Sequence, residues 1–262
     1  MTDNADREVA LITGASSGLG AEFARVLAAR KYDLVVTARR KERLQSLKTE
    51  LEAAHGVKVE IVAADLSLAA GVEALIAAVD ALGRPVGVLI NNAGFGLHGA
   101  FVEQEDARVM EMLQLDITSL TRLTHHYGRA MAARRRGRIL QVSSVGAFQA
   151  SPYYAAYSAA KAYVLLLSEG VHHELKGTGV TCTALCPGLT DTEFHEAANH
   201  PKTGIMTITT MSARAVATIG VNAMLRGRAV VITGFINKLN AFFIRLVPRR
   251  VATWVAGRLM KK

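Results

Sequence analysis

The chain has 262 residues, half of them hydrophobic, with two cysteines and a formal net charge of +9. That length suits one α/β domain with a large core, and no apolar run reaches the roughly 20 residues a bilayer-spanning helix needs. The charge is uneven: residues 197–262 hold eleven Lys and Arg and no Asp or Glu, which leaves the preceding 196 residues at about −2.

The start, Met1 to Asp6, is polar and acidic and does not read as a secretory signal, so a cytoplasmic protein is the expectation. Glu8 to Thr13 is a β-rich run ending at glycine, which predicts a buried strand. Ser17 to Arg30 follows as a helix, with Leu19, Phe23, Val26 and Leu27 at helical spacing. Further strands are predicted over Asp33–Ala38, Val57–Ala63, Val86–Asn91, Arg138–Ser143, Val180–Cys186 and Ala229–Thr233. Helices fall between them, over Lys41–His55, Ala69–Leu82, much of Glu103–Ala133, Tyr153–Lys176 and Ser212–Leu225. Such alternation implies a parallel sheet covered on both faces.

Ligands of such sheets bind outside the carboxyl ends of the strands. Six strand ends carry a plausible contact: Gly14 to Gly20, Arg39, Asp65, Asn92, Ser144 and Pro187. In the turn Thr13-Gly14-Ala15-Ser16-Ser17-Gly18-Leu19-Gly20, Gly14 permits a tight exit from the strand. Gly18 and Gly20 let a helix N-terminus approach a dinucleotide pyrophosphate. Arg39 and Arg40 follow the second strand, where an acidic residue would bind a ribose 2′-hydroxyl. Two guanidiniums suit a 2′-phosphate instead, so NADP(H) is expected over NAD(H), with Ser16 or Ser17 as further donors. The alternative is that Arg39-Arg40-Lys41 opens a solvated helix.

Tyr157 and Lys161 lie four apart on one helix face. An ammonium there favours the phenolate and is expected to lower the tyrosine pKa from about 10. The tyrosine then exchanges a proton with a substrate oxygen near neutral pH.

With Gly14-x-x-x-Gly18-x-Gly20, Asn91-Asn92-Ala93-Gly94, Ser144 and Tyr157-x-x-x-Lys161 in this order, the chain resembles the short-chain dehydrogenase/reductase family over about residues 7–232. The resemblance implies a single Rossmann-like, doubly wound α/β domain over residues 1–234. Its sheet would be seven-stranded, mainly parallel and flanked by helices. It also implies an oxidoreductase that moves hydride between nicotinamide and a carbonyl or secondary alcohol, on the pro-S face. Ser144 would polarise the carbonyl and Tyr157 supply the proton. Lys161 would hold the nicotinamide ribose and steady Tyr157. Asp65-Leu66 matches the adenine contact, with a helix N-cap as the other reading of Asp65. Asn92-Ala93-Gly94 matches the ribose-supporting segment, and Pro187-Gly188 with Thr190 or Thr192 the carboxamide turn.

One position departs from that pattern. Leu115-Asp116-Ile117 places Asp116 where relatives carry a catalytic Asn, so its carboxylate would hold the relay water or pair with Lys161. Family relatives are commonly dimers or tetramers built on the helices over 103–133 and 153–176.

His125-His126 and His172-His173 have no ligating partners at useful spacing, so no metal is expected. His98, Tyr153 and Tyr154 lie close to the expected cleft, and Cys182 and Cys186 read as reduced core residues. Phe194 to Met211 is expected to form an apolar lid, which points to a hydrophobic substrate.

Residues 235–262 form a basic amphipathic extension, with Ile236, Leu239, Phe243 and Leu246, then Val251, Val255 and Leu259, at helical spacing. Packing against the body or a partner subunit is the favoured role. Peripheral contact with a membrane is the alternative. Nucleic-acid binding is not expected, since no recognised module is present. The functional alternatives are a non-catalytic NADP(H) sensor and a membrane-peripheral reductase of lipid-derived substrates.

Overall fold

In the computed structural model, residues 7–191 and 210–260 are described. Seven strands form one sheet in the order β3-β2-β1-β4-β5-β6-β9. They are β1 (Val9–Thr13), β2 (Asp33–Ala38), β3 (Val59–Ala63), β4 (Val86–Asn91), β5 (Gly137–Val142), β6 (Val180–Cys186) and β9 (Val230–Ile232). Every pair is parallel, so the expected "mainly parallel" sheet is wholly so. The chain works outward from β1 to β3 and returns at β4. The switch point therefore lies between β1 and β4.

Side-chain alternation along each strand feeds two cores. Ala10 and Ile12 of β1, Leu34 and Val36 of β2, and Val88 and Ile90 of β4 face one layer. That layer is built on α1 (Gly18–Ala28), α2 (Lys41–His55) and α7 (Ala213–Leu225). Val9, Leu11 and Val35 face the other, against α3 (Ala69–Asp80) and α5 (Leu120–Ala133). α6 (Ala155–Glu174) also lies on this side, with Val171 packed against the cluster.

The helix-rich stretch after β4 is one interrupted rod. α4 (Asp106–Leu113) passes through a single π turn, Gln114–Ser119, into α5. α6 begins two residues later than the sequence suggests. Tyr153 sits at φ 65°, a left-handed conformation that a helix cannot include. Two short strands not anticipated, β7 (Thr190–Asp191) and β8 (Met211–Ser212), pair in parallel. The expected lid, Phe194 to Met211, lies outside the described residues apart from its last two positions.

The C-terminal extension forms α8 (Phe235–Phe243) and α9 (Arg249–Met260). If packing on the body were its whole role, the periodic large residues would be inside. The reverse holds: Ala241, Ala252 and Ala256 are buried, while Ile236, Leu239, Phe243, Leu246, Val251, Val255 and Leu259 are exposed. Among the described residues, no helix is long and apolar enough to cross a membrane.

Candidate active site

The glycine turn joins β1 to α1 with no spare volume. A Cβ on Gly20 would stand 2.1 Å from the Gly14 carbonyl oxygen. One on Gly14, itself at φ 68°, would stand 2.8 Å from Asn92 Nδ2. Ser17, the residue before α1, makes no side-chain cap. The first amides of α1 are thus left to an anion, and backbone can close on it without steric cost. These features fit a dinucleotide pyrophosphate. Leu19 turns inward and packs on the core.

The two arginines after β2 divide their work in a way adjacency hides. Arg40 donates to Ser16 Oγ at 3.1 Å and to Ser17 Oγ at 2.8 Å, which builds a cationic, hydroxyl-lined corner beside the turn. Arg39 instead reaches Glu111 at 3.4 Å. Of the two, Arg40 is the one held beside the glycine turn. Asp65 accepts from the Ser67 amide and hydroxyl in an Asx turn, and α3 is preceded by Leu68, so Asp65 is not an N-cap. Burial would raise the Asp65 carboxyl, but Ser67 and the charge of Arg39 outweigh it and hold it below its ordinary value. The Leu66 carbonyl accepts from Ser119 Oγ at 2.6 Å, which ties this end to the π turn.

Asn92, at the end of β4, acts as a brace. Its Nδ2 donates to the Thr13 carbonyl at 2.8 Å, and Thr13 Oγ1 accepts from the Asn92 and Ala93 amides. Sequence reasoning missed Thr13, whose role appears only once β1 and β4 are neighbours. Gly94 is fixed by proximity, since a Cβ there would meet Asp116 Oδ1 at 2.7 Å.

The candidate catalytic groups meet where β5 ends and α6 passes. Ser144 hydrogen-bonds the Tyr157 hydroxyl, and its Oγ also accepts from the Gly146 amide at 3.0 Å. Ser143, one residue earlier, instead donates to the Lys161 carbonyl at 2.8 Å. Lys161 Nζ lies 5.6 Å from the Tyr157 ring centroid, 2.9 Å from Asp116 Oδ2 and 3.3 Å from the Val142 carbonyl. Asp116 is fully buried in the π turn, and its Oδ1 accepts from the Phe95 amide at 3.1 Å.

Electrostatics here correct one expectation. Burial pushes the Tyr157 phenol up, and the opposing charge of Lys161 and the Ser144 hydrogen bond only partly offset that. The net direction is upward, not down. Burial would lower the Lys161 ammonium, but Asp116 and Tyr157 outweigh it, so Lys161 stays charged and its pKa is raised. Burial raises the Asp116 carboxyl against the pull of Lys161.

On the third side, the Pro187 carbonyl accepts from the Val145 amide at 3.0 Å. Thr190 is buried, and its hydroxyl donates to the Gly188 carbonyl at 3.1 Å. Thr192 lies outside the described residues. A Cβ on Gly188 would stand 2.1 Å from Asn237 Nδ2, so α8 abuts this turn. Near Tyr157, His98 packs 5.0 Å from Tyr154, which is itself 5.9 Å from Tyr157. His98 Nε2 lies 3.2 Å from the Met260 carbonyl, so α9 reaches the same cluster. The sequence placed His98 near the cleft but gave no sign that the extension returns to it.

The remaining candidates from the sequence have contacts of their own. His126 pairs with Asp80, His172 contacts the Cys182 carbonyl, and no metal-binding cluster occurs among the described residues. Cys182 and Cys186 are free and buried, and burial pushes both thiols up to about 12.

A parallel sheet with a glycine turn at its switch point, and a serine, a tyrosine and a lysine gathered at the end of β5, fits a dinucleotide-dependent oxidoreductase. Residues 8–203 match the family described as short chain dehydrogenase, and the chain belongs to that family. A protein of Streptomyces coelicolor that carries a provisional ketoacyl reductase name is 36% identical, over 79% of this chain and 80% of its own. The 7beta-hydroxysteroid dehydrogenase of Collinsella aerofaciens is 32% identical, over 70% and 69%. A solved short-chain dehydrogenase from Sphingobium yanoikuyae, in complex with NADPH, superposes with a TM-score of 0.81 at 33% identity, covering 90% of this chain and 92% of that one. The chain is thus an enzyme of this family that works with a nicotinamide cofactor.

Proposed function

We propose that the enzyme is an NADP(H)-dependent reductase of bulky, hydrophobic ketones, running also as an alcohol dehydrogenase, with Ser144, Tyr157 and Lys161 as its catalytic residues. The observation that carries this reading is the meeting of the Ser144 hydroxyl, the Tyr157 phenol and the Lys161 ammonium at the carboxyl end of β5. When bound, the nicotinamide supplies or accepts the hydride. Ser144 donates to the substrate oxygen and polarises the carbonyl. Tyr157 passes its proton to that oxygen as negative charge develops there. A phenol raised above its ordinary value holds that proton at neutral pH, and Lys161 stabilises the phenolate left behind. Asp116 positions Lys161 and keeps it charged. The Arg40, Ser16 and Ser17 corner supports a 2′-phosphate and hence NADP(H) over NAD(H).

The substrate class draws on two observations. Relatives are named for ketoacyl and hydroxysteroid substrates, and the cleft mouth is lined by aromatic rings at His98, Tyr153 and Tyr154. Exposed Val102, just before α4, Met110 of α4 and Leu166 of α6 support a homodimer or homotetramer.

The test follows NADPH oxidation with 3-ketoacyl thioesters, steroid ketones and bulky aryl ketones, with NADH in parallel. Tyr157→Phe is expected to lower kcat by about 10²- to 10⁴-fold, with NADPH binding by fluorescence titration retained. Undiminished turnover in that variant would remove Tyr157 from the mechanism.

A further inference from the structure

We propose that the outer face of α8 and α9 docks on an anionic phospholipid bilayer and sets the mouth of the catalytic cleft against the lipid. Helices held by tertiary packing bury their large apolar side chains. Here the buried positions are alanines, while Phe235 (73% exposed), Leu246 (70%), Leu259 (71%), Phe242 and Trp254 face outward. These exposed apolar side chains recur along two consecutive helices and the turn between them.

Charge selects the occupant. Lys238, Arg245, Arg249, Arg250 and Arg258 are exposed among these side chains, and the chain has no acidic residue after position 196. Two such faces brought together in a symmetric dimer would oppose like charges with no carboxylate between them. An anionic headgroup layer supplies the missing charge over an apolar interior. Trp254 carries Arg258 over its ring at 5.0 Å, a pairing suited to a headgroup boundary. Neither helix is long enough to cross a membrane, so the pair lies on the surface.

The inner side of the same helices borders the cleft. A Cβ on Gly257 would lie 3.3 Å from Pro152 Cγ, and the Met260 carbonyl meets His98, which packs on Tyr154 beside Tyr157. A docked enzyme would therefore receive an apolar substrate from the bilayer. That last step rests on the proposed substrate class, whereas docking itself does not.

Trp254 is the single tryptophan of the chain, so its emission reports this face alone. The full-length enzyme is mixed with phosphatidylcholine vesicles, with or without phosphatidylglycerol. The expected result is co-sedimentation and a blue shift of Trp254 emission only with phosphatidylglycerol, both weakened by salt. Arg249→Glu with Arg250→Glu should weaken binding by at least about tenfold, and Phe242→Glu with Leu246→Glu should abolish it. All four substitutions are at the surface, and an unchanged melting temperature checks folding. NADPH-dependent turnover of a water-soluble ketone without vesicles should be unchanged in the variants, so a failed docking test and a failed enzyme reading give different results. No shift and no sedimentation at low salt overturns the proposal. So does a blue shift that grows with protein concentration in the absence of lipid, which would assign the face to a second copy of the chain.

Discussion

Lys161 Nζ stands 2.9 Å from Asp116 Oδ2, with both side chains buried. The carboxylate raises the pKa of Lys161 and so favours its charged form beside Tyr157. It also acts on the tyrosine in the opposite sense, because its negative charge raises the phenol that Lys161 lowers.

Replacing Asp116 by Asn keeps the shape and removes that charge. Turnover is expected to be retained or to rise. Tyr157 becomes more acidic, so the alkaline limb of ketone reduction, which needs the protonated phenol, moves to lower pH. The acidic limb of alcohol oxidation, which needs the phenolate, moves the same way. Lys161 loses its partner, and a broken buried pair costs about 3–5 kcal/mol where nothing replaces it. With the Asn amide oxygen still present, a smaller but clear fall in melting temperature is expected. Collapse of turnover with the cofactor still bound would show that the carboxylate itself is required.

The adjacent serines should separate cleanly. Ser144→Ala removes the hydroxyl paired with Tyr157 and is expected to lower kcat by about 10²-fold or more with folding intact. Ser143→Ala loses one buried hydrogen bond to the Lys161 carbonyl. That should cost roughly 1 kcal/mol of stability and leave kcat within a few-fold of the parent. Steady-state kinetics and denaturant melts on the pair distinguish them.

Cofactor choice should follow Arg40 more than Arg39. Arg40→Ala removes a charge-assisted contact of about 1.5–3 kcal/mol. The KM for NADPH should rise roughly 10- to 100-fold, with that for NADH little changed. Arg39→Ala, which breaks an exposed pair with Glu111, should have a smaller effect. Measuring both cofactors on both variants decides the order.

Gly20→Ala tests the turn. A methyl 2.1 Å from the Gly14 carbonyl forces α1 away from β1. The expected result is a destabilisation of at least about 1–3 kcal/mol and loss of the thermal shift that NADPH gives the parent.

Most of this fold is written in short apolar runs. Leu11, Val36 and Ile90 lie on strands buried on both faces, and such strands stand out from the helices between them. The strand ends were legible for the same reason, since each chemical residue follows such a run directly. What escaped depends on distant neighbours. The rise of Tyr157 reflects burial that no local window contains. Arg39 and Arg40 are chemically alike, and only their positions ahead of α2 send one to Glu111 and the other to Ser16 and Ser17. The π turn around Asp116 adds no unusual residue type. The period in α8 and α9 marked a stripe correctly but carried no sign of its direction, and the stripe faces out.

The contact between the Met260 carbonyl and His98 has a practical corollary. Shortening α9 by its last turn would remove the Met260 contact and change the surroundings of His98 and, through the Tyr154 ring, of Tyr157. A change made at that end of α9 is therefore a change beside the candidate site, and its kinetics should be compared with those of the unaltered chain.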